Sequence, residues 1–123
     1  MAGSYKTKLG AAGETIALKA LSSRGYALVE QNWRCRRGEV DLVMRDGDCW
    51  AFVEVKTRRA RGIEPPEAAL TATKAQRLVN LAQTYLAVHE MGLVDWRIDL
   101  VAIELDAHGA VHRLDVYQGV ALP

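Results

Sequence analysis

The feature that most limits how this chain can fold is a pair of alternating segments on either side of Asp46-Gly47. Residues 38–45 place Val40, Leu42 and Met44 on one face against Glu39, Asp41 and Val43 on the other. Residues 49–56 place Ala51, Val53 and Val55 against Trp50, Phe52, Glu54 and Lys56. Alternation with a period of two marks a β-strand, and Asp-Gly between two such runs marks a hairpin. A two-residue turn at Asp46-Gly47 pairs Arg45 with Asp48, Asp41 with Phe52 and Glu39 with Glu54. Asp41 and Glu54 are then diagonal neighbours, with Cβ atoms about 7–8 Å apart or less. A slip of one residue would set Asp41 beside Val53 and mix the apolar and polar sets. The expected hairpin therefore has one apolar face and one face presenting Glu39, Asp41, Glu54 and Lys56.

The rest of the chain supplies two helices and three more strands. Residues 9–24 recur at helical spacing through Ile16, Ala17, Ala20 and Leu21, with Gly25 as the stop. Residues 26–34 read as a strand, and residues 58–66, with Gly62 and Pro65-Pro66, as a loop. Residues 71–89 form a second helix whose buried face carries Ala75, Leu78, Val79, Ala82, Tyr85 and Leu86, ended by Gly92. Residues 96–105 make a strand, and residues 111–117 a shorter one after the turn Ala107-His108-Gly109. With 123 residues, half of them hydrophobic, the chain can build one core but not two. The expectation is a single mixed α/β domain over residues 1–123, with its core at residues 9–105.

Composition excludes several classes. No apolar run approaches the roughly 20 residues of a bilayer span, so no membrane partner is expected. Residues 1–6 offer no hydrophobic stretch for a secretory signal. Cys35 and Cys49 come with no CxxC pair or Cys/His cluster, which argues against a disulfide framework or a zinc set. A reduced cytoplasmic setting follows. Net charge is only +1, yet its distribution is uneven. Residues 1–61 hold twelve basic and seven acidic residues, and residues 62–123 hold four and eight. The basic residues gather in Arg34, Arg36, Arg37 and in Lys56, Arg58, Arg59, Arg61, flanking the acidic hairpin.

Three carboxylates on one hairpin face repel one another unless positive charge sits among them. Lys56 supplies one such charge, and hard oxygen ligands of this kind suit Mg²⁺ as the other. A lysine two residues beyond Glu54 could also stabilise a developing phosphoryl charge. An ordinary antiparallel hairpin with one wet face shows the same alternation, so the pattern alone leaves both readings open. Two details lean toward a site. Trp50 and Phe52 share the polar face, and Glu14 lies in line with Leu18 and Leu21 at the border of the first helix's apolar arc.

The run GEVDLVMRDGDCWAFVEVKTR, residues 38–58, resembles the signature of the YraN-like family of bacterial proteins. That family belongs with the PD-(D/E)xK nuclease superfamily and is related to archaeal Holliday junction resolvases. The resemblance extends to Gly13-Glu14, Ala17 and Leu21, to Gly25-Tyr26, Asn32 and Arg34, to Lys74, Ala82, Tyr85 and Leu86, and to Arg97-Ile98-Asp99. It implies a restriction-endonuclease-like core of order αβββαβ with an extra C-terminal strand, a mixed sheet flanked by helices. Asp41 and Glu54 would ligate the metal with the backbone carbonyl of Val55, Glu14 would complete the acidic set, and Lys56 would be the catalytic lysine. Glu39 is an auxiliary acid. Arg58 would touch phosphate, and Arg34, Arg36, Arg37, Lys74 and Arg77 are further nucleic-acid contacts. The implied activity is Mg²⁺-dependent endonuclease cleavage of DNA, with Mn²⁺ as substitute, on branched substrates by analogy with resolvases and by a homodimer. The alternatives are a non-catalytic nucleic-acid binding module using the same basic surface, and a protein-interaction domain using Trp33, Trp50 and residues 61–66.

Overall fold

The computed structural model describes residues 7–62 and 64–121. Residues 1–6, whose lack of a hydrophobic stretch argued against a secretory signal, lie outside the described residues, as does Ile63 in the loop. Helix α1 (Lys8–Ser23) starts at Thr7, whose hydroxyl accepts from the Gly10 N–H, and stops before Gly25 at φ +96°. Strands β1 (Ala27–Cys35), β2 (Gly38–Asp46) and β3 (Cys49–Arg59) follow. A 3₁₀ turn (Pro66–Ala69) leads to α2 (Ala72–Val88), capped by the Thr71 hydroxyl on the Lys74 N–H. Strands β4 (Trp96–Leu105) and β5 (Val111–Tyr117) complete the chain. The third strand runs to Arg59, so Arg58 belongs to a strand and not to the expected loop. Among the described residues, no helix is long and apolar enough to cross a membrane.

The five strands form one sheet in the order β1-β2-β3-β4-β5. Only β3 and β4 run parallel, and α2 is the crossover that a parallel connection requires. Helix α1 packs on one face through Ala17 and Leu21, over Leu42, Met44, Ala51, Val53, Val101 and Ile103. Helix α2 packs on the other through Leu78, Leu81, Ala82 and Tyr85, over Val43, Phe52 and Ile98. This mixed sheet flanked by helices, ordered αβββαβ with an added strand, is a restriction-endonuclease-like core.

The hairpin departs from expectation in three ways. Its register pairs Asp46 with Cys49 and Arg45 with Trp50, so the turn is Gly47-Asp48 and not Asp46-Gly47. Gly47, at φ +62°, occupies the first turn position, where a type II′ turn wants glycine. The ladder's last pair is Leu42–Val53, so pairing stops one step short of Asp41 and Glu54, and the expected diagonal placement through an Asp41–Phe52 pair is not formed. Secondly, the hairpin has no wet face. Trp50 and Phe52 lie under α2, in contact with Tyr85 at ring separations of 6.3 and 5.5 Å. Trp33 is buried against the same ring at 5.1 Å. Two aromatic residues of the protein-interaction alternative are thus core and core-margin residues.

Thirdly, alternation breaks at Asp41. Val40 and Val43 both belong to the α2 side, whereas Leu42 and Met44 belong to the α1 side. On the neighbouring strand, Asn32 falls between the pairs Gln31–Leu42 and Trp33–Val40, opposite Asp41, and takes φ +54°. Asparagine tolerates that left-handed conformation better than most residues. Both strands are irregular at one rung, and that rung carries the signature aspartate.

A second polar feature lies toward the turn end of the hairpin. Arg97 donates to both oxygens of fully buried Asp99, to Asp46 and to the Tyr26 hydroxyl. Asp99 also accepts from Tyr26 and from the Gly119 N–H, and Gln118 donates to Tyr26. Burial opposes the Arg97 charge, but these hydrogen bonds outweigh it and hold the guanidinium protonated more firmly than usual. Burial also pushes the Tyr26 hydroxyl's pKa up.

Candidate active site

Where β2 and β3 leave the ladder, a cavity of about 510 Å³ opens. Its walls bring together Glu14 from α1, Glu39 and Asp41 from β2, and Glu54, Val55 and Lys56 from β3. Arg34 and Arg36 reach it from the β1–β2 hairpin and Arg77 from α2. Residues as far apart in sequence as Glu14 and Arg77 therefore share one chamber.

Each acidic group is placed by a local cause. Asp41 is only 6% exposed, and its Oδ2 accepts the Val55 N–H at 2.8 Å. The side chain thereby occupies a donor that the sheet ladder no longer uses, which fixes it between the diverging strands. Glu14, 5% exposed, depends on how closely α1 approaches β3. A Cβ on the preceding Gly13 would fall on Thr57 Oγ1 and lie 2.9 Å from Thr57 Cβ, so glycine is what lets the helix seat there. Glu54 and Lys56 are half-buried on β3. Glu39 faces its cross-strand partner Arg34, with Nε to Oε2 at 2.8 Å. Gly38, at φ +146°, closes the hairpin opposite Cys35, and a Cβ there would lie 3.7 Å from Arg77 Nε.

The remaining sequence-derived contacts divide. Lys74 lines a smaller cleft that it shares with Glu54, Lys56, Ala69 and Leu70, beside the main cavity. Arg37 is exposed at the hairpin turn but is not a wall residue. Arg58 is also off the cavity, and its Nε is buried without a hydrogen-bond partner among the described residues. Sequence reasoning missed Thr7, Gly10 and Cys35 as wall residues. The helix-capping Thr7 was findable from its position before α1; nothing local singled out Cys35.

The cleft is held from behind by Arg113. This β5 residue donates to Glu67 at 2.7 and 3.1 Å, to Glu104 at 2.8 Å and to Asp115 at 2.6 Å. The Arg113 hydrogen bonds hold the Glu67 carboxyl at about 2, well below its ordinary value. Glu67 belongs to the 3₁₀ turn, and Ala69 and Leu70 at its end form the cleft wall beside Lys56.

Hard carboxylate oxygens from Glu14, Asp41 and Glu54 are the donor chemistry that Mg²⁺ or Mn²⁺ requires. Among the described residues, no three acidic, His or Cys side chains converge tightly enough to hold a metal in their present rotamers. The cause is visible in part: Asp41 is engaged with a backbone donor and Glu39 with Arg34. The donor set fits the ion by chemistry and location, with convergence left to side-chain movement.

Residues 13–103 match the profile of the uncharacterised protein family UPF0102. A UPF0102 protein of Streptomyces griseus is 49% identical over 105 residues, covering 83% of this chain and 87% of its own. One from Beutenbergia cavernae is 44% identical over 115 residues, covering 94% and 97%. A third, from Roseiflexus castenholzii, is 45% identical over 102 residues, covering 81% and 82%.

Proposed function

This chain belongs to the uncharacterised protein family UPF0102, and on that premise we propose that it is a metal-dependent DNA endonuclease. The observation that carries the reading is the chamber itself: Glu14, Asp41, Glu54 and Lys56, from three elements, line one cavity ringed by arginines. Acids, a lysine and arginines that line one open volume are the arrangement a charged ligand can enter.

Asp41, Glu54, Glu14 and the Val55 carbonyl would hold Mg²⁺, with Mn²⁺ as substitute. When bound, the ion supplies Lewis-acid polarisation of the scissile phosphate. Arg36 and Arg77 hold the flanking phosphates, with Lys74 extending the track from the adjoining cleft. Water attacks phosphorus in line, the opposite P–O bond breaks, and the Lys56 ammonium stabilises the charge that builds on the phosphoryl oxygens. The half-buried position of Lys56 on the cavity wall beside Glu54 suits that task. A homodimer would supply the two sites that symmetric cutting of two strands needs. The cytoplasm offers the DNA, the divalent ion and the reducing conditions that this reading requires.

The test is cleavage of linear, nicked, flapped and four-way DNA with Mg²⁺ or Mn²⁺, run beside Asp41→Ala and Glu54→Ala. The expected result is metal-dependent cutting that both substitutions abolish. Salt-sensitive DNA binding without turnover would return the protein to the non-catalytic binding module. Cutting that survives both substitutions would place the chemistry elsewhere.

A further inference from the structure

Glu39 is an acid of the chamber whose cross-strand partner is an arginine, a side chain of the type that binds phosphate. It stands two residues before Asp41 on β2, and its cross-strand partner Arg34 takes it at 2.8 Å through Nε. The two members of the pair are unequally sheltered: the Glu39 side chain is 16% exposed and that of Arg34 is 46% exposed. A ligand entering the cavity therefore meets the guanidinium before the carboxylate. Guanidinium recognises carboxylate and phosphate with the same planar fork, so one can replace the other without new geometry. The guanidinium is nearly half exposed, so solvent and ions screen the pair from that side, which makes the exchange accessible.

We propose that Arg34 is a positioning residue that couples a nucleic-acid phosphate to Glu39. In the protein alone Arg34 holds the Glu39 carboxylate. When a DNA phosphate takes the guanidinium, Glu39 is released toward Asp41 and Glu54 and joins the acids that bind the divalent ion. The proposal rests on the metal-dependent reading above and adds a substrate-operated latch to it. Cation and nucleic acid then assist each other's binding, and the assistance is reciprocal by linkage. It also gives physical content to the lack of a converged acidic group among the described residues.

The experiment is Mn²⁺ titration of the DNA-free protein across a double-mutant cycle of Arg34→Ala and Glu39→Gln. Arg34→Ala opens the latch, and Mn²⁺ affinity should rise about 5-fold, the low end of ordinary coupling between sites. Arg77→Ala removes equal charge from the same cavity and keeps the Arg34–Glu39 pair, and should give a smaller generic gain. In the Glu39→Gln background, Arg34→Ala should give only that generic gain. Arg34→Lys keeps the charge but loses the fork, and should fall between wild type and Arg34→Ala; it also serves if the alanine variant folds poorly. Additive effects in the cycle would overturn the latch and leave the nuclease reading standing. Wild-type protein that binds no Mn²⁺ would overturn both. Non-additive Mn²⁺ binding in a protein that cuts no DNA would sink the nuclease reading and keep the latch.

Discussion

Two clusters of carboxylate and arginine lie along the β2–β3 hairpin, and they have opposite character. At the turn end, Arg97, Asp99, Asp46 and Tyr26 are closed on one another, with Asp99 wholly out of solvent. At the open end, Glu14, Asp41, Glu54 and Lys56 surround a cavity of about 510 Å³. Both clusters set carboxylates beside cationic side chains; what differs is whether they enclose volume. A network whose members all bond one another cannot take a ligand without losing bonds, and it serves as scaffold. Acids and bases arranged around space can give up weak partners to a ligand, and that is where chemistry can occur.

The comparison is broken most forcefully at the scaffold end. Asp99→Ala would strip acceptors from Arg97, Tyr26 and the Gly119 N–H together and leave a partly buried guanidinium poorly compensated. The expected loss is about 3–5 kcal/mol of stability, read by denaturant unfolding. Glu54→Gln should do the reverse. Unfolding should stay within about 1 kcal/mol of wild type, while cleavage falls at least about 100-fold, equivalent to about 2.7 kcal/mol of barrier. Comparable stability losses in both variants would erase the distinction between scaffold and site.

Much of the fold was legible in the sequence, because helical and strand periodicities report burial on one face or two. The bounds of β4 and β5 follow directly from it. The hairpin register was not legible, for a physical reason. Asp46-Gly47-Asp48 can turn at either dipeptide, and the two pairings differ by two residues, which leaves every side chain on its original face. Alternation is blind to that choice. The kink at Asp41 was hidden too, since valine at positions 40 and 43 suits burial on either side. Trp50 and Phe52, whose place on the polar face leaned toward a site in the sequence, owe it to burial under α2. Tyr26, Arg97 and Asp99 stood out only through the resemblance, and their joining into one network was not legible, because Tyr26, Asp46 and Gln118 come from distant parts of the chain. The candidate site was legible as residue types on a hairpin; its enclosure by α1 and α2 depends on packing.

Between scaffold and site lies the joint that seats α1. Gly13→Ala would drive a methyl group into Thr57, so the helix must lift and carry Glu14 with it. Overpacking of this kind costs about 1–3 kcal/mol. If Glu14 serves the site, Mn²⁺ affinity should fall along with stability. Adding Thr57→Ala removes the closest clash and should restore part of both. Recovery of stability without recovery of Mn²⁺ binding would make Glu14 a packing residue and narrow the acidic set to β2 and β3.

The smallest effect is expected at the Arg113 clasp, which resembles the scaffold in bonding but borders the site in position. Glu67 has a folded-state value of about 2 against 4.5 ordinarily, because Arg113 grips its ionised form. A lowered carboxyl stabilises the fold above its unfolded value, so the clasp acts in full above about pH 4.5. Its contribution is lost as pH falls toward 2. Both partners touch solvent, so screening keeps the effect modest. The difference in unfolding midpoint between wild type and Glu67→Gln should therefore be largest near pH 6 and shrink steadily below pH 4. If it does not vary with pH, the 3₁₀ turn is held by Pro66 and Leu70 packing instead of by charge. Activity sharpens the comparison further: loosening the turn that walls Lys56 should lower turnover more than DNA affinity, whereas loss at a pure scaffold element would lower neither at temperatures where the protein stays folded.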